Sequence, residues 1–159
     1  MNIRKEIIKQ FFVVGEPIAQ PRQRHSIMRS KKTGKQFVNN YTPAKAPVYT
    51  WKERIIATAL LNKFDLPINE PIAIDIVFYF KRPKSHYVAN KLEKGLKKSA
   101  PKYMTKKPDK DNLDKAVYDA LTYINYIYDD KLVCAGETIK YYAESEEQIG
   151  ADIKIWRLI

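Results

Sequence analysis

Six aspartates, Asp109, Asp111, Asp114, Asp119, Asp129 and Asp130, stand close together in a chain otherwise rich in lysine and arginine. Asp109 and Asp111 are two residues apart at the entrance to a predicted helix. Their side chains converge if the backbone bends there. Asp129 and Asp130 lie beyond that helix, where a following strand could return them beside its start. Carboxylates gathered in one place repel, by about 4 kcal/mol per pair at ~4 Å and an effective dielectric near 20. Such a group shares a proton or holds a divalent cation. Magnesium is the hard cation that one or two carboxylates hold, with phosphate and water completing the shell. Its chemistry here would be phosphodiester hydrolysis: water activated, phosphoryl oxygens polarised, the leaving alkoxide steadied.

Each residue also has a plainer reading. Asp109 and Asp111 could be first-turn acids favoured by the helix dipole. Lys115 follows Asp111 by four residues and precedes Asp119 by four, so it could make only surface ion pairs of about a few tenths of a kcal/mol. Its functional reading is an ammonium that holds the scissile phosphate. Asp129-Asp130 could be a polar turn. Taken singly, the plain readings suffice; their joint occurrence in a chain of net charge +11 points to a metal site. The two histidines, His25 and His86, lack partners at zinc-ligand spacing. Cys134 reads as a small core residue of a strand. Five glycines form neither a Walker loop nor a dinucleotide fingerprint, so no small-molecule cofactor is expected. The eleven tyrosines fit base stacking or strand packing equally well.

Lys and Arg number 29 against 18 Asp and Glu, and the pI is about 9.6. The balance favours a polyanionic partner, nucleic acid before an anionic membrane; the bland alternative is charge for solubility. No apolar run approaches the ~18 residues that a membrane span needs, so no membrane partner is expected. One cysteine rules out an internal disulfide, and a reducing cytoplasm is the expected location. The 159 residues fit one domain, 1–159.

The elements that must position these residues follow from pattern. A strand is predicted over Gln10 to Val14, then a break at Gly15-Glu16-Pro17. An exposed basic loop follows, with Arg22, Arg24, Arg29, Lys31, Lys32 and Lys35, in which Thr33-Gly34 marks a loop or a hairpin tip. Residues 44–63 have helical spacing, with Pro47 in the first turn. Pro71 to Lys81 alternates as a strand. Lys84 to Lys107 is Lys-rich, including Lys98, Lys102, Lys106 and Lys107, with a short helix in its middle. Leu113, Ala116, Val117, Ala120, Leu121 and Ile124 form the apolar stripe of a helix, capped by Asp111 or Asn112 with Asp114 completing a capping box. Two strands, about Leu132 to Ala143 and Ile149 to Leu158, close the chain. The order predicts a mixed α+β (α/β) fold: one mixed sheet with two to three helices.

The run Lys107-Pro108-Asp109-Lys110-Asp111-Asn112-Leu113-Asp114-Lys115, then Asp119-Ala120-Leu121, then Asp129-Asp130, resembles the RusA family of phage and prophage Holliday junction resolvases (crossover junction endodeoxyribonucleases). That family carries Pro-Asp-x-Asp-Asn-Leu-x-Lys, an Asp-Ala-Leu and a pair of aspartates before a strand. The chain departs from it in having Lys131-Leu132 where a small residue and Gln are common, and in its Gly15 to Arg24 loop. The resemblance implies a homodimeric, structure-selective endonuclease that resolves four-way junctions by magnesium-dependent paired nicks in recombination and repair, with manganese able to substitute. It implies that Asp109, Asp111 and Asp130 are catalytic metal ligands, with Asp129 as a supporting acid and Lys115 as the catalytic lysine. The basic stretches Arg22 to Lys35 and Lys91 to Lys107 would face the DNA. The alternative is a non-catalytic basic protein that binds branched DNA.

Overall fold

The computed structural model describes residues 3–22, 24–41, 43, 46–62 and 67–159. Its centre is β4 (Ile72–Phe80), whose Ile72, Ile74, Ile76, Phe78 and Phe80 are all buried. Alternation puts these on one face, as predicted. β7 (Gly150–Leu158) pairs antiparallel with β4, and β1 (Lys5–Val14) pairs antiparallel with β7. On its other edge β4 pairs in parallel with β5 (Val133–Ala135) and β6 (Thr138–Tyr142). Parallel neighbours need a crossover, and α2 (Lys110–Tyr123) lies within it. The result is a mixed α+β domain with a mixed sheet and two α-helices among the described residues.

Both helices pack into the core with the sheet. α1 (Pro47–Leu61) buries Val48, Trp51, Ile55 and Ala59, and α2 buries Leu113, Ala116, Val117, Ala120 and Leu121. These join Ile74, Ile76, Phe78, Ile153 and Ile155 in one apolar cluster. Each fully buried aliphatic side chain contributes about 1.5–3 kcal/mol relative to exposure. Ala44, Lys45 and Lys63, at the ends of the expected first helix, lie outside the described residues.

Several expectations are corrected. β1 begins at Lys5 rather than Gln10, because pairing with β7 continues to Lys5↔Leu158 through Lys5-Glu6-Ile7-Ile8-Lys9, whose order carries no alternation and whose register shifts between Ile7 and Lys9. Of the two readings of the Thr33-Gly34 tip, the hairpin holds: the basic stretch is an antiparallel pair of β2 (Arg24–Arg29) and β3 (Gln36–Tyr41), with Gly34 at φ +67° in its tip, and not an irregular loop. Lys84 to Lys107 contains single 3-10 turns at Lys84–His86, Val88–Asn90 and Leu92–Lys94 in place of a short α-helix. The strand expected over 132–143 breaks in two at Gly136. There φ is +152°, and a Cβ would stand 2.1 Å from the carbonyl oxygen of Ile74. Cys134 is exposed, not a core residue. No helix among the described residues is long and apolar enough to cross a membrane.

Candidate active site

The C-terminal end of β4 and the N-terminus of α2 meet at one end of the sheet. Two tethers shape the ground between them. Lys140 of β6 donates to the carbonyls of Lys106 at 2.8 Å and Pro108 at 2.7 Å, which fixes the approach to Asp109. The segment after β1 is held by Gly15 N–H donating to Ile149 O at 3.0 Å and Gln20 N–H donating to Asn112 O at 2.9 Å. An open cleft of about 720 Å³ lies between them, lined among others by Glu16, Arg22, Met104, Lys107, Asp109 and Asn112. Burial pushes the Glu16 carboxyl above its usual range, partly opposed by the Lys81 backbone N–H and ammonium.

α2 starts two or three residues earlier than expected. Asp109, not Asp111 or Asn112, is the N-cap residue, with extended backbone and no side-chain capping bond. The predicted capping box is absent, because Asp114 turns instead to the Thr138 hydroxyl, which donates to it at 2.7 Å. Asp109 and Asp111 are both exposed at the helix entrance. A helix N-terminus favours anions, and here it faces carboxylates and any phosphate that enters the cleft. Burial raises the Asp114 pKa, opposed by the Thr138 hydroxyl and Lys110 and assisted by the nearby Asp111 charge.

The other acids are engaged differently. Asp119 pairs with Lys52 at 3.2 Å and with Lys115 at 3.3 Å. The Lys115 side chain stays 56% exposed, so that pair is weak and exchangeable. Asp129 accepts from the Lys131 backbone N–H at 3.0 Å and pairs with its ammonium at 3.2 Å; that backbone bond leads in holding its pKa low. Asp130 is exposed and opens a 3-10 turn, Asp130–Leu132, that lies against α2.

Among the described residues no three His, Cys, Asp or Glu side chains stand close enough to hold a metal. The donor chemistry nevertheless fits a hard divalent cation. Magnesium takes one or two carboxylates and keeps water and phosphate for the rest, so it needs no three-carboxylate cage. Asp109 and Asp111, exposed carboxylates at one helix entrance, meet that requirement.

The predicted DNA-facing residues divide into three groups. Arg22 and Lys107 line the cleft with Asp109. Arg24 and Arg29 lie on β2, and Lys31, Lys32 and Lys35 lie around the hairpin tip, all exposed. Lys98, Lys102 and Lys106 line the exposed approach to α2, with the Lys102 ammonium 5.1 Å from the Tyr141 ring centre. Sequence reasoning missed Glu16, which joins the cleft only through tertiary packing, and Lys140, whose role depends on the β6 register. Neither carries a local signal, although Glu16 does sit in the Gly15-Glu16-Pro17 break.

The comparison with protein families matches residues 15–155 to the Endodeoxyribonuclease RusA model. A Bacillus subtilis (strain 168) protein, "Uncharacterized protein YqaN", is 36% identical over 141 residues, which are 85% of this chain and 88% of that protein. The matched span takes in the β1–β2 segment, both cleft-lining cations and every aspartate from Asp109 to Asp130. The chain belongs to the RusA endodeoxyribonuclease family, whose members are DNA endonucleases that act on branched junctions.

Proposed function

We propose that the chain is a magnesium-dependent endonuclease that resolves four-way DNA junctions by paired nicks, in recombination and repair within the cytoplasm of its cell. The observation that supports this most is the placement of Asp109 and Asp111 at the entrance of α2, with Arg22 and Lys107 lining the same cleft as Asp109. A binding protein needs the cations but has no use for exposed carboxylates that repel DNA.

In this reading Asp109 and Asp111 hold the cation, and Asp130, supported by Asp129, would join them by a shift of its 3-10 turn, since among the described residues no three acids stand close enough to share an ion. The bound ion supplies an activated water and neutralises charge on the phosphoryl oxygens. Arg22 and Lys107 hold flanking phosphates at the cleft. Lys115, one turn beyond Asp111, exchanges its Asp119 partner for the scissile phosphate. A two-fold homodimer of the 1–159 domain suits two symmetric cuts.

The test is a nicking assay on a synthetic four-way junction beside a linear duplex of the same sequence, with magnesium, manganese or EDTA. Paired nicks on the junction alone, lost in EDTA, are expected. Tight junction binding with no nicks in either metal would favour a non-catalytic binder.

A further inference from the structure

The β2–β3 hairpin stands apart from the core. Almost every residue of both strands is exposed. Its register places Ile27 opposite Val38 on one face and Met28 opposite Phe37 on the other. These are 75%, 62%, 47% and 51% exposed. A lone two-stranded hairpin is marginally stable in water, and one with apolar pairs on both faces needs cover on both. From Arg24 to Tyr41 the arm carries five cations, Arg24, Arg29, Lys31, Lys32 and Lys35, and no acid. Three of these are lysines clustered around the tip, where Gly34 N–H donates to Ser30 O at 2.9 Å and Arg29 Nε donates to Gly34 O at 2.9 Å.

The charge decides what covers it. Packing against the same arm of a second copy would bring five cations onto five, a net repulsion. Branched DNA offers the complement: phosphates for the lysines and, where helices part, base-pair faces that are apolar and lack a stacking partner. An opened branch point presents such faces on two sides, as the ribbon presents apolar pairs on two sides. The arm springs from the cleft edge, since Arg22 lines the cleft and β2 begins at Arg24. Six residues of strand reach about 20 Å.

We propose that the β2–β3 hairpin is an arm that enters the branch point of a DNA junction, with Lys31, Lys32 and Lys35 on phosphates and the Ile27/Val38 and Met28/Phe37 pairs against exposed base-pair faces. This rests on the junction reading above, but not on cutting. It makes the arm the element that separates a junction from linear duplex, because a continuous duplex shows no free base-pair face. It also sets the distance between branch point and nick.

The test uses the full chain in EDTA, so that cutting plays no part. A four-way junction and a linear duplex each carry 2-aminopurine, at the crossover or at the equivalent position. Wild type is expected to raise the crossover signal as bases unstack and to leave the duplex signal unchanged. Ile27→Ser with Val38→Ser should abolish that rise and weaken junction binding about tenfold, with duplex affinity unchanged. Lys31→Ala with Lys32→Ala and Lys35→Ala should weaken both substrates and lower the salt slope by about 0.9 for each phosphate no longer neutralised. Circular dichroism checks that each variant is folded, and Met28→Ser with Phe37→Ser serves as an independent apolar pair. A crossover signal that survives both apolar variants overturns the proposal. So does a fall from dimer to monomer in those variants with junction affinity unchanged, which would give the arm to a second copy. Loss of metal-dependent nicking from the wild type, with the crossover signal intact, would sink the nuclease reading alone.

Discussion

The Lys140 ammonium donates to the carbonyl of Pro108 at 2.7 Å, so a β6 side chain holds the residue immediately before Asp109. Its second bond, to Lys106 at 2.8 Å, makes the grip two-point. Lys140→Met keeps the stem and deletes both bonds. Junction nicking is expected to fall about 10- to 100-fold, since displacement by an ångström suffices for that. Junction affinity should stay within about twofold of wild type, because the ammonium of half-buried Lys140 is committed to two backbone carbonyls and not to DNA. Partial recovery in Lys140→Arg would mark a positioning role. Unchanged single-turnover rates in the Met variant would show that Asp109 needs no such tether.

Asp109 caps α2 by position only, with no side-chain hydrogen bond. Asp109→Ala should therefore cost less than the ~1 kcal/mol typical of a lost cap, while nicking disappears. Asp111→Asn should also abolish nicking and keep or tighten junction binding, because one repulsive charge is removed. A denaturation midpoint that drops markedly in Asp109→Ala, with activity retained, would return this residue to a structural role.

Gly136 separates β5 from β6 where an added Cβ would meet the Ile74 carbonyl oxygen at 2.1 Å. Gly136→Ala should destabilise the fold by about 2 kcal/mol or more, since strain at a positive φ and a backbone clash act together. Urea denaturation measures this directly. A loss under about 0.5 kcal/mol, the level of an ordinary surface substitution, would mean that the β4 edge can move aside.

Burial dominates at Asp114 and raises its pKa in the folded state. The protonated acid is thus favoured by folding. Its stabilising contribution is complete below the unfolded value near 3.8 and is lost as pH rises through the higher folded value. Asp114→Asn keeps an oxygen for Thr138 and removes the titration. At neutral pH the variant should melt about 1–2 °C above wild type, and the difference should vanish below pH ~3.5, where the wild-type acid is also neutral. A variant that melts lower than wild type at pH 7 would give more weight to the Lys110 pair at 3.7 Å than to burial.

Two elements show how much the sequence carried. The α2 stripe from Leu113 to Leu121 and the β4 alternation from Ile72 to Phe80 are legible because each is a one-faced element packed on a core, so burial is written as period. The run from Lys107 to Asp130 is legible because its chemistry is held within one helix and its flanks. The Thr33-Gly34 turn hinted at a hairpin, but its two strands and their register were not legible, because residues exposed on both faces carry no period. Nor were the split at Gly136 or the exposure of Cys134, which depend on how a short strand meets the edge of β4. Residue types and local spacing determined by themselves that carboxylates gather at a helix entrance in a polycationic chain. Tertiary structure alone decided that Arg22 shares the cleft with Asp109 and that Lys140 ties its approach. Those relationships join residues more than thirty positions apart, which only the folding of the whole chain brings together.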